Sequence, residues 1–191
     1  MWCASSRRTR LANYPSLVVG ESVIDPSISV RNLGVQWRSD LMINRQISTV
    51  VRSCNYNSRQ LRATRSSLSR NALRDVAYAL FLSRLDYCNV LYENAPATQM
   101  KRLRVLINMA ASVVSRRRRY DPITDFIRSQ LHWLPVLQRV QFKIGIMVFK
   151  AINNLSPVYI SDLITLSSTV THRRNLRSSS QLVLLVPRHR T

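Results

Sequence analysis

The stretch LMINRQISTVVRSCNYNSRQL, residues 41–61, decides the fold class of this chain. Its apolar side chains recur at the three- and four-residue spacing of one helical stripe, which predicts an amphipathic α-helix whose stripe faces a core. The apolar positions are Ile43, Ile47, Val50, Val51, Cys54 and Leu61. Because the chain before residue 41 lacks this period, we predict that a helical domain starts there.

The opposite side of this helix carries Arg45, Arg52 and Arg59, seven residues apart. We call these three residues the arginine row. An ordinary solvated helix face would have the same pattern, but no Asp or Glu occurs between Leu41 and Asn71 to balance the row. We therefore predict that the arginine row binds nucleic-acid phosphate.

The whole chain shares this bias. Its 191 residues carry a formal net charge of +20, and 26 of its 29 basic residues are arginine. Arginine offers a planar fork that matches phosphate, so the composition favours a polyanionic partner. A GC-rich genome would explain arginine in place of lysine, but it would not explain the shortage of acids. The hydrophobic fraction of 46% is enough for a packed core.

Three cysteines, Cys3, Cys54 and Cys88, make an odd count without metal-ligand spacing. This pattern predicts reduced thiols in an intracellular protein, nuclear or cytoplasmic, with neither a disulfide framework nor a metal cofactor. The first residues do not read as a leader, and the longest apolar run, residues 144–149, is too short to span a bilayer. We expect no membrane partner.

Residues 1–38 are predicted to form a small β element. Two apolar runs around Gly20 and Glu21 predict a hairpin with a type II′ turn. The segment from Ser27 to Trp37 is predicted to be a third strand, in which Gly34 marks a bulge or a close backbone approach. Such an element would leave a strand edge exposed, which predicts poor solubility.

Further helices are predicted after residue 69. Ser69 is a candidate N-cap for a helix whose apolar face includes Arg84. An unpaired buried charge costs several kcal/mol, so we predict that Arg84 is a structural clamp bonded to Asp86, Asp121 or loop carbonyls. More helices follow over about 98–115, from Asp121 and from Pro135.

A run of arginines followed by a tyrosine joins two of these helices. It pairs phosphate-binding forks with a ring on which a base can stack, and it also resembles a nuclear-import signal. A second basic group lies in the Ser- and Arg-rich tail after residue 165. The candidate nucleic-acid-binding residues here are Arg116, Arg117, Arg118, Arg119, Tyr120, Arg173 and Arg174.

Catalysis is not expected from this chain on its own. A polymerase or nuclease needs neighbouring aspartates that hold two Mg²⁺ ions, but no two of the nine acids are adjacent, and the two closest aspartates, Asp121 and Asp125, lie at a helix start. No phosphate-binding glycine loop and no nucleophile motif occurs, so we expect neither a cofactor nor a small-molecule substrate.

Two phrases carry a family resemblance. Ser83-Arg84-Leu85-Asp86-Tyr87-Cys88-Asn89 and Leu131-His132-Trp133-Leu134-Pro135, in this order, resemble the region after the catalytic palm in reverse transcriptases of non-LTR (LINE-type, jockey-like) retrotransposons. Further matching phrases cover nearly the whole chain: Trp2-Cys3, residues 30–35, Asn108 with Ala110 and Ala111, Arg118 and Arg119 with Asp121, residues 156–163, and residues 176–179.

The resemblance implies a thumb that tracks the backbone of an RNA–DNA duplex, in a parent enzyme that is an Mg²⁺-dependent RNA-directed DNA polymerase. It makes Arg84, Asp86, His132 and Trp133 structural residues. The chain departs from the family at Arg38, where an Asp is usual, and at Gln46, where a His is usual. The F/Y-x-D-D aspartates are missing, so a truncated or decayed reading frame is expected.

These observations predict a mainly α protein. A small β-hairpin and strand element (1–38) precedes a thumb-like helical bundle (39–165) and a basic C-terminal tail (166–191). We expect a remnant of a reverse transcriptase that retains at most sequence-independent binding to the phosphate backbone of RNA, DNA or an RNA–DNA hybrid. The alternative is a helical interaction protein that binds an acidic protein partner.

Overall fold

The computed structural model describes residues 15–118, 121–166 and 184–185. This part of the chain is mainly helical and begins with small antiparallel sheets, which confirms the predicted fold class. The chain divides into two compact units, residues 1–141 and 142–191. The three-part division at residues 38 and 165 stays a prediction, as does the likeness to a polymerase thumb.

The first hairpin follows the sequence prediction. Strand β1 (Leu17–Val19) pairs antiparallel with β2 (Ser22–Ile24) across a two-residue turn. Gly20 in this turn has a φ of +60°, the conformation that hairpin turns of the primed types require and that glycine adopts at little cost. All six strand residues are exposed, so the apolar side chains of this hairpin are in contact with water.

The single third strand predicted from Ser27 to Trp37 is wrong. The structure has two strands there, β3 (Ser29–Asn32) and β4 (Val35–Arg38), which pair with each other. Leu33 and Gly34 have φ angles of 47° and 81°, and two consecutive positive values make a type I′ turn instead of a bulge. The second hairpin packs through Val35, which is buried.

The helices follow residue 43. Ser69 caps the second of them, because its Oγ accepts a hydrogen bond from the backbone N–H of Ala72 at 3.2 Å. A π-helical turn over Tyr78–Leu82 follows that helix, and another covers Ile127–Leu131. The α-helices are α1 (Asn44–Thr64), α2 (Arg70–Ala77), α3 (Ser83–Asp86), α4 (Ala97–Val114), α5 (Thr124–Phe126), α6 (Val136–Ile152) and α7 (Val158–Ser161).

The core of the first unit lies where α1 and α2 pack against α4. Small residues let the helices approach closely, and Ala110 and Ala111 of α4 are fully buried. Polar contacts cross the same interface, since Arg102 Nη1 donates to Ser48 Oγ at 3.2 Å. The buried residues of α1 include four of the six residues in the predicted stripe, Ile47, Val50, Cys54 and Leu61. The other two, Ile43 and Val51, are half-buried.

In the second unit, α6 continues to Ile152 and α7 follows Pro157. Leu166 and Leu184 form an isolated antiparallel bridge, and the backbone N–H of Leu185 donates to the carbonyl of Thr165 at 2.8 Å.

Candidate nucleic-acid interface

The arginine row lies on the exposed side of α1. Arg45, Arg52 and Arg59 are exposed, while the stripe on the other side of the helix is buried. Arg45 Nη1 also donates to Ser29 Oγ at 3.0 Å, which fixes the start of the row to β3. Among the described residues, ion pairs join Arg38 to Asp40, Arg74 to Asp75 and Arg139 to Asp86, and none of them includes the row.

A cavity of about 310 Å³ opens beside the row, between the β3–β4 hairpin, α1 and the start of α3. We call it the basic pocket. It brings together two guanidinium groups, three aliphatic hydroxyls, an amide and a phenol. The residues that line it are Arg31, Gly34, Gln46, Thr49, Val50, Ser53, Ser83, Arg84 and Tyr87.

The helical period predicts that Arg84 lies on the buried face of its helix. In the structure it does not. Its side chain is exposed, and Nη1 donates to Ser53 Oγ at 2.5 Å instead of pairing with a carboxylate. The reason is the π-helical turn over Tyr78–Leu82, which adds one residue to the turn. The added residue rotates the following chain by about 100°, so Leu85 takes the core position and Arg84 faces the basic pocket.

Tyr87 holds the wall of the basic pocket in place. Its hydroxyl donates to the backbone carbonyl of Leu33, in the turn of the second hairpin. A second contact joins the hairpin to α1, because the backbone N–H of Gln36 donates to Gln46 Oε1 at 3.0 Å. The hairpin is therefore bonded to α1 and to the residue that follows α3.

The basic pocket has a positive field. Arg31 and Arg84 are both exposed, and no described ion pair includes either residue. The Arg84 cation also acts on Cys54, which is fully buried nearby. Burial raises the pKa of the Cys54 thiol to about 11, and the charge of Arg84 opposes this rise only in part. A site of this kind attracts an anion with several oxygen acceptors, such as phosphate.

Part of the basic run at the end of α4 makes hydrogen bonds and ring contacts within the protein itself. Arg116 Nη2 donates to the carbonyls of Arg65 and Leu68, and Arg117 lies 5.6 Å from the ring centroid of Phe126. The guanidinium of Arg117 also donates to the carbonyl of Pro122. Arg118 is exposed, and its backbone N–H donates to Asp121 Oδ2 at 2.8 Å.

Four of the predicted binding residues, Arg119, Tyr120, Arg173 and Arg174, lie outside the described residues. The helix that carries the arginine row lines the basic pocket, whereas none of the described residues of the basic run, Arg116, Arg117 and Arg118, lines it. Sequence reasoning missed Arg31 and the phenol of Tyr87 as pocket residues. Arg31 stands within the phrase of residues 30–35, and only the paired hairpin turns it towards α1.

Arg139 links the two family-like phrases, although it belongs to neither of them. Asp86 Oδ2 accepts from Arg139 Nη1 at 2.6 Å, and Arg139 Nε donates to the carbonyl of Leu134 at 2.8 Å. His132 has a φ of 53° and ends the helical segment of α5, while Trp133 is buried after it. Asp86 thus pairs with Arg139, not with Arg84, and sequence reasoning missed this partner.

Comparison of the chain with known protein families, curated proteins and solved structures gives no match. Within the described ranges, no helix is long and apolar enough to cross a membrane. The same ranges contain no group of three or more His, Cys, Asp or Glu residues placed to hold a metal ion.

Proposed function

We propose that this chain binds the phosphate backbone of nucleic acid without reading its sequence, and that it derives from the post-palm region of a non-LTR retrotransposon reverse transcriptase. The observation that carries the binding proposal is the basic pocket, in which Arg31 and Arg84 stand with the hydroxyls of Thr49, Ser53 and Ser83. Guanidinium and hydroxyl donors are the groups that hold phosphate oxygens.

The arginine row extends this site along α1. Thr49 follows Arg45 by one helical turn and lines the basic pocket, so the pocket borders the row at this turn of the helix. Seven residues of helix measure about 10.5 Å. From Arg45 to Arg59 the row therefore spans about 21 Å of helix. A row of this length supports contact with several phosphates of a duplex backbone.

A salt titration tests the binding. Log–log plots of affinity against salt concentration should have a slope of about −0.9 for each phosphate that the protein neutralises on DNA. The probes are a short DNA duplex and an RNA–DNA hybrid of the same sequence. We compare the parent with Arg45→Gln/Arg52→Gln/Arg59→Gln and with Arg31→Gln/Arg84→Gln, and we expect both variants to bind more weakly with a shallower slope.

The matched control is Lys101→Gln/Arg104→Gln/Arg128→Gln, which removes three exposed positive charges elsewhere on the same unit. We expect it to change the slope less than half as much as the row variant does. If the control lowers the slope equally, net charge and not the proposed site explains the binding. Failure of the parent to bind either probe at low salt would refute the binding proposal.

The origin and the enzymatic role are separate proposals. The two phrases around Asp86 and Trp133 support the origin, and the genomic DNA on the 5′ side tests it, because an F/Y-x-D-D segment is expected there in the same or a shifted frame. The nine acidic residues are distributed along the chain and do not form a pair of neighbouring aspartates, which supports the absence of polymerase activity. A primer-extension assay with Mg²⁺ should show no extension, and extension by the pure chain would contradict this.

A further inference from the structure

A second concave surface lies on the first unit and shares no residue with the basic pocket. It has a volume of about 910 Å³ and runs between α4 and the segment 124–138. We call it the groove. One wall is a single face of α4 between Ala97 and Asn108, and the other includes the loop and first turn around Pro135. Its size is that of a site for a ligand or a docked segment.

The groove has apolar walls that remain open to water. Leu134 and Leu137 are 43% and 48% exposed, although both line a concave surface. On the opposite wall, Met100 of α4 is half-buried, whereas Ile107 is already buried. Removing water from these side chains is favourable, and a concave site buries them against a partner better than a flat surface does.

The rim of the groove is positively charged. Lys101, Arg104 and Arg128 line it and are exposed, and no described ion pair includes any of them. Of the described residues that line the groove, none is Asp or Glu. A partner therefore has to combine apolar groups for the walls with negative charges for the rim.

Nucleic acid matches this combination poorly. Bases bind to single-strand sites by stacking on exposed aromatic rings, but Trp133, the one Phe, Tyr or Trp among the described lining residues, is 8% exposed and packed into the floor. His132 also lines the groove and is exposed, but it offers a single imidazole without a second exposed ring among the described lining residues. Leucine walls favour aliphatic or aromatic side chains of a protein.

We propose that the groove binds an amphipathic helix of a partner protein, with Leu or Phe on its inner face and Asp or Glu on its flanks. The α4 wall spans eleven residues, about 17 Å or three turns. Apolar anchors at positions i, i+3, i+4 and i+7 of a docked helix span about 10.5 Å and fit this length. This interaction is independent of nucleic-acid binding, since it uses different residues.

A designed peptide of about 18 residues tests the proposal. It carries Leu and Phe at the four anchor positions and Glu on both flanks, with a fluorophore for anisotropy. A scrambled peptide of the same composition is the control for charge. We compare the parent protein with Leu137→Asp and with Lys101→Glu/Arg104→Glu, because these side chains are exposed and the variants should fold. Arg45→Glu/Arg52→Glu is the matched control outside the groove.

We expect the amphipathic peptide to bind at least tenfold more tightly than the scrambled one. Both groove variants should weaken its binding about tenfold, the control variant should change it less than twofold, and an unlabelled DNA duplex should not displace the peptide from the control variant. Equal binding of the two peptides, or unchanged binding by Lys101→Glu/Arg104→Glu, would overturn the proposal. Neither outcome bears on the salt dependence of the arginine row.

Discussion

Asp86 and Arg139 form a hydrogen-bonded ion pair of 2.6 Å that joins the end of α3 to the start of α6. Their side chains are 32% and 12% exposed, so the pair is partly removed from water. Arg139 also donates to the carbonyl of Leu134 in the preceding loop. One arginine thus holds together two segments that lie more than fifty residues apart in the sequence.

A double-mutant cycle should show that this pair stabilises the fold. For Asp86→Ala and Arg139→Ala we expect a coupling energy of about 1–3 kcal/mol, because each single change leaves a partly buried charge without its partner. Urea unfolding of the four proteins measures it. The matched control is the pair Arg74–Asp75, whose side chains are 50% and 70% exposed. Its coupling should be about 0.5 kcal/mol or less, and equal couplings for the two pairs would contradict the prediction.

Deleting Ala79 should destabilise the protein strongly. The deletion removes the extra residue of the π-helical turn over Tyr78–Leu82, so the following chain rotates and Arg84 replaces Leu85 in the core. A buried guanidinium without a partner costs about 3–5 kcal/mol. Thermal unfolding followed by circular dichroism measures the loss. The length-preserving change Ala79→Ser is the control, and a deletion as mild as this substitution would disprove the role of the turn.

Stability should fall at alkaline pH because of Cys54. Burial raises the pKa of its thiol from 9.0 to about 11, so the unfolded chain loses this proton before the folded one does. The contribution is fully present below about pH 9, declines as the pH rises and is lost above about pH 11. It amounts to about 3 kcal/mol.

Urea unfolding at several pH values between 8 and 11.5 measures this decline. Cys54→Ala should lose stability at every pH, because it removes buried volume, but its pH dependence between 9 and 11 should be weaker. Burial also raises the pKa of Tyr92 to about 12, and the Gln46 side chain opposes this rise. Tyr92→Phe should therefore weaken the decline at higher pH, from about 10 upward. An unchanged profile in Cys54→Ala would exclude the thiol as the cause.

Two glycine substitutions should have opposite effects. Gly34→Ala places a Cβ at a φ of +81°, which costs about 1 kcal/mol, although the new atom would meet Tyr87 Cε1 only at an ordinary 3.8 Å. Gly145→Ala lies inside α6 with nothing within 4 Å of its Cβ, so it should stabilise by about 0.5–1 kcal/mol. Urea midpoints decide the signs. A stabilising Gly34→Ala would contradict the type I′ turn, and a destabilising Gly145→Ala would contradict the open helical position.

Periodicity predicts the parts of the fold that depend on local sequence. The stripe from Ile47 to Leu61 is buried as expected, Ser69 caps its helix, and Gly20 occupies the first hairpin turn. Each of these depends on neighbours a few residues away, which a sequence displays directly.

The misplaced features depend on more distant contacts or on an irregular backbone. A π-helical turn leaves no compositional signal. A regular period of 3.6 residues therefore predicts Arg84 in the core, whereas the π-helical turn places it on the surface in the structure. The second hairpin was missed because a Leu-Gly turn is weaker than an Asn-Gly one, and Arg139 because a salt-bridge partner is set by tertiary packing. The placement of Arg31 in the basic pocket follows from that hairpin.

The basic pocket is built by three separate elements, and this has a consequence for thermodynamic linkage. An anion held there bonds to the folded arrangement alone, because the unfolded chain does not bring Arg31, Ser53 and Arg84 together. Ligand at a hundred times its Kd adds about 2.7 kcal/mol to the free energy of unfolding. We therefore expect the melting temperature of the nucleic-acid-free protein to depend on its buffer anion, rising when phosphate or sulfate replaces chloride at equal ionic strength.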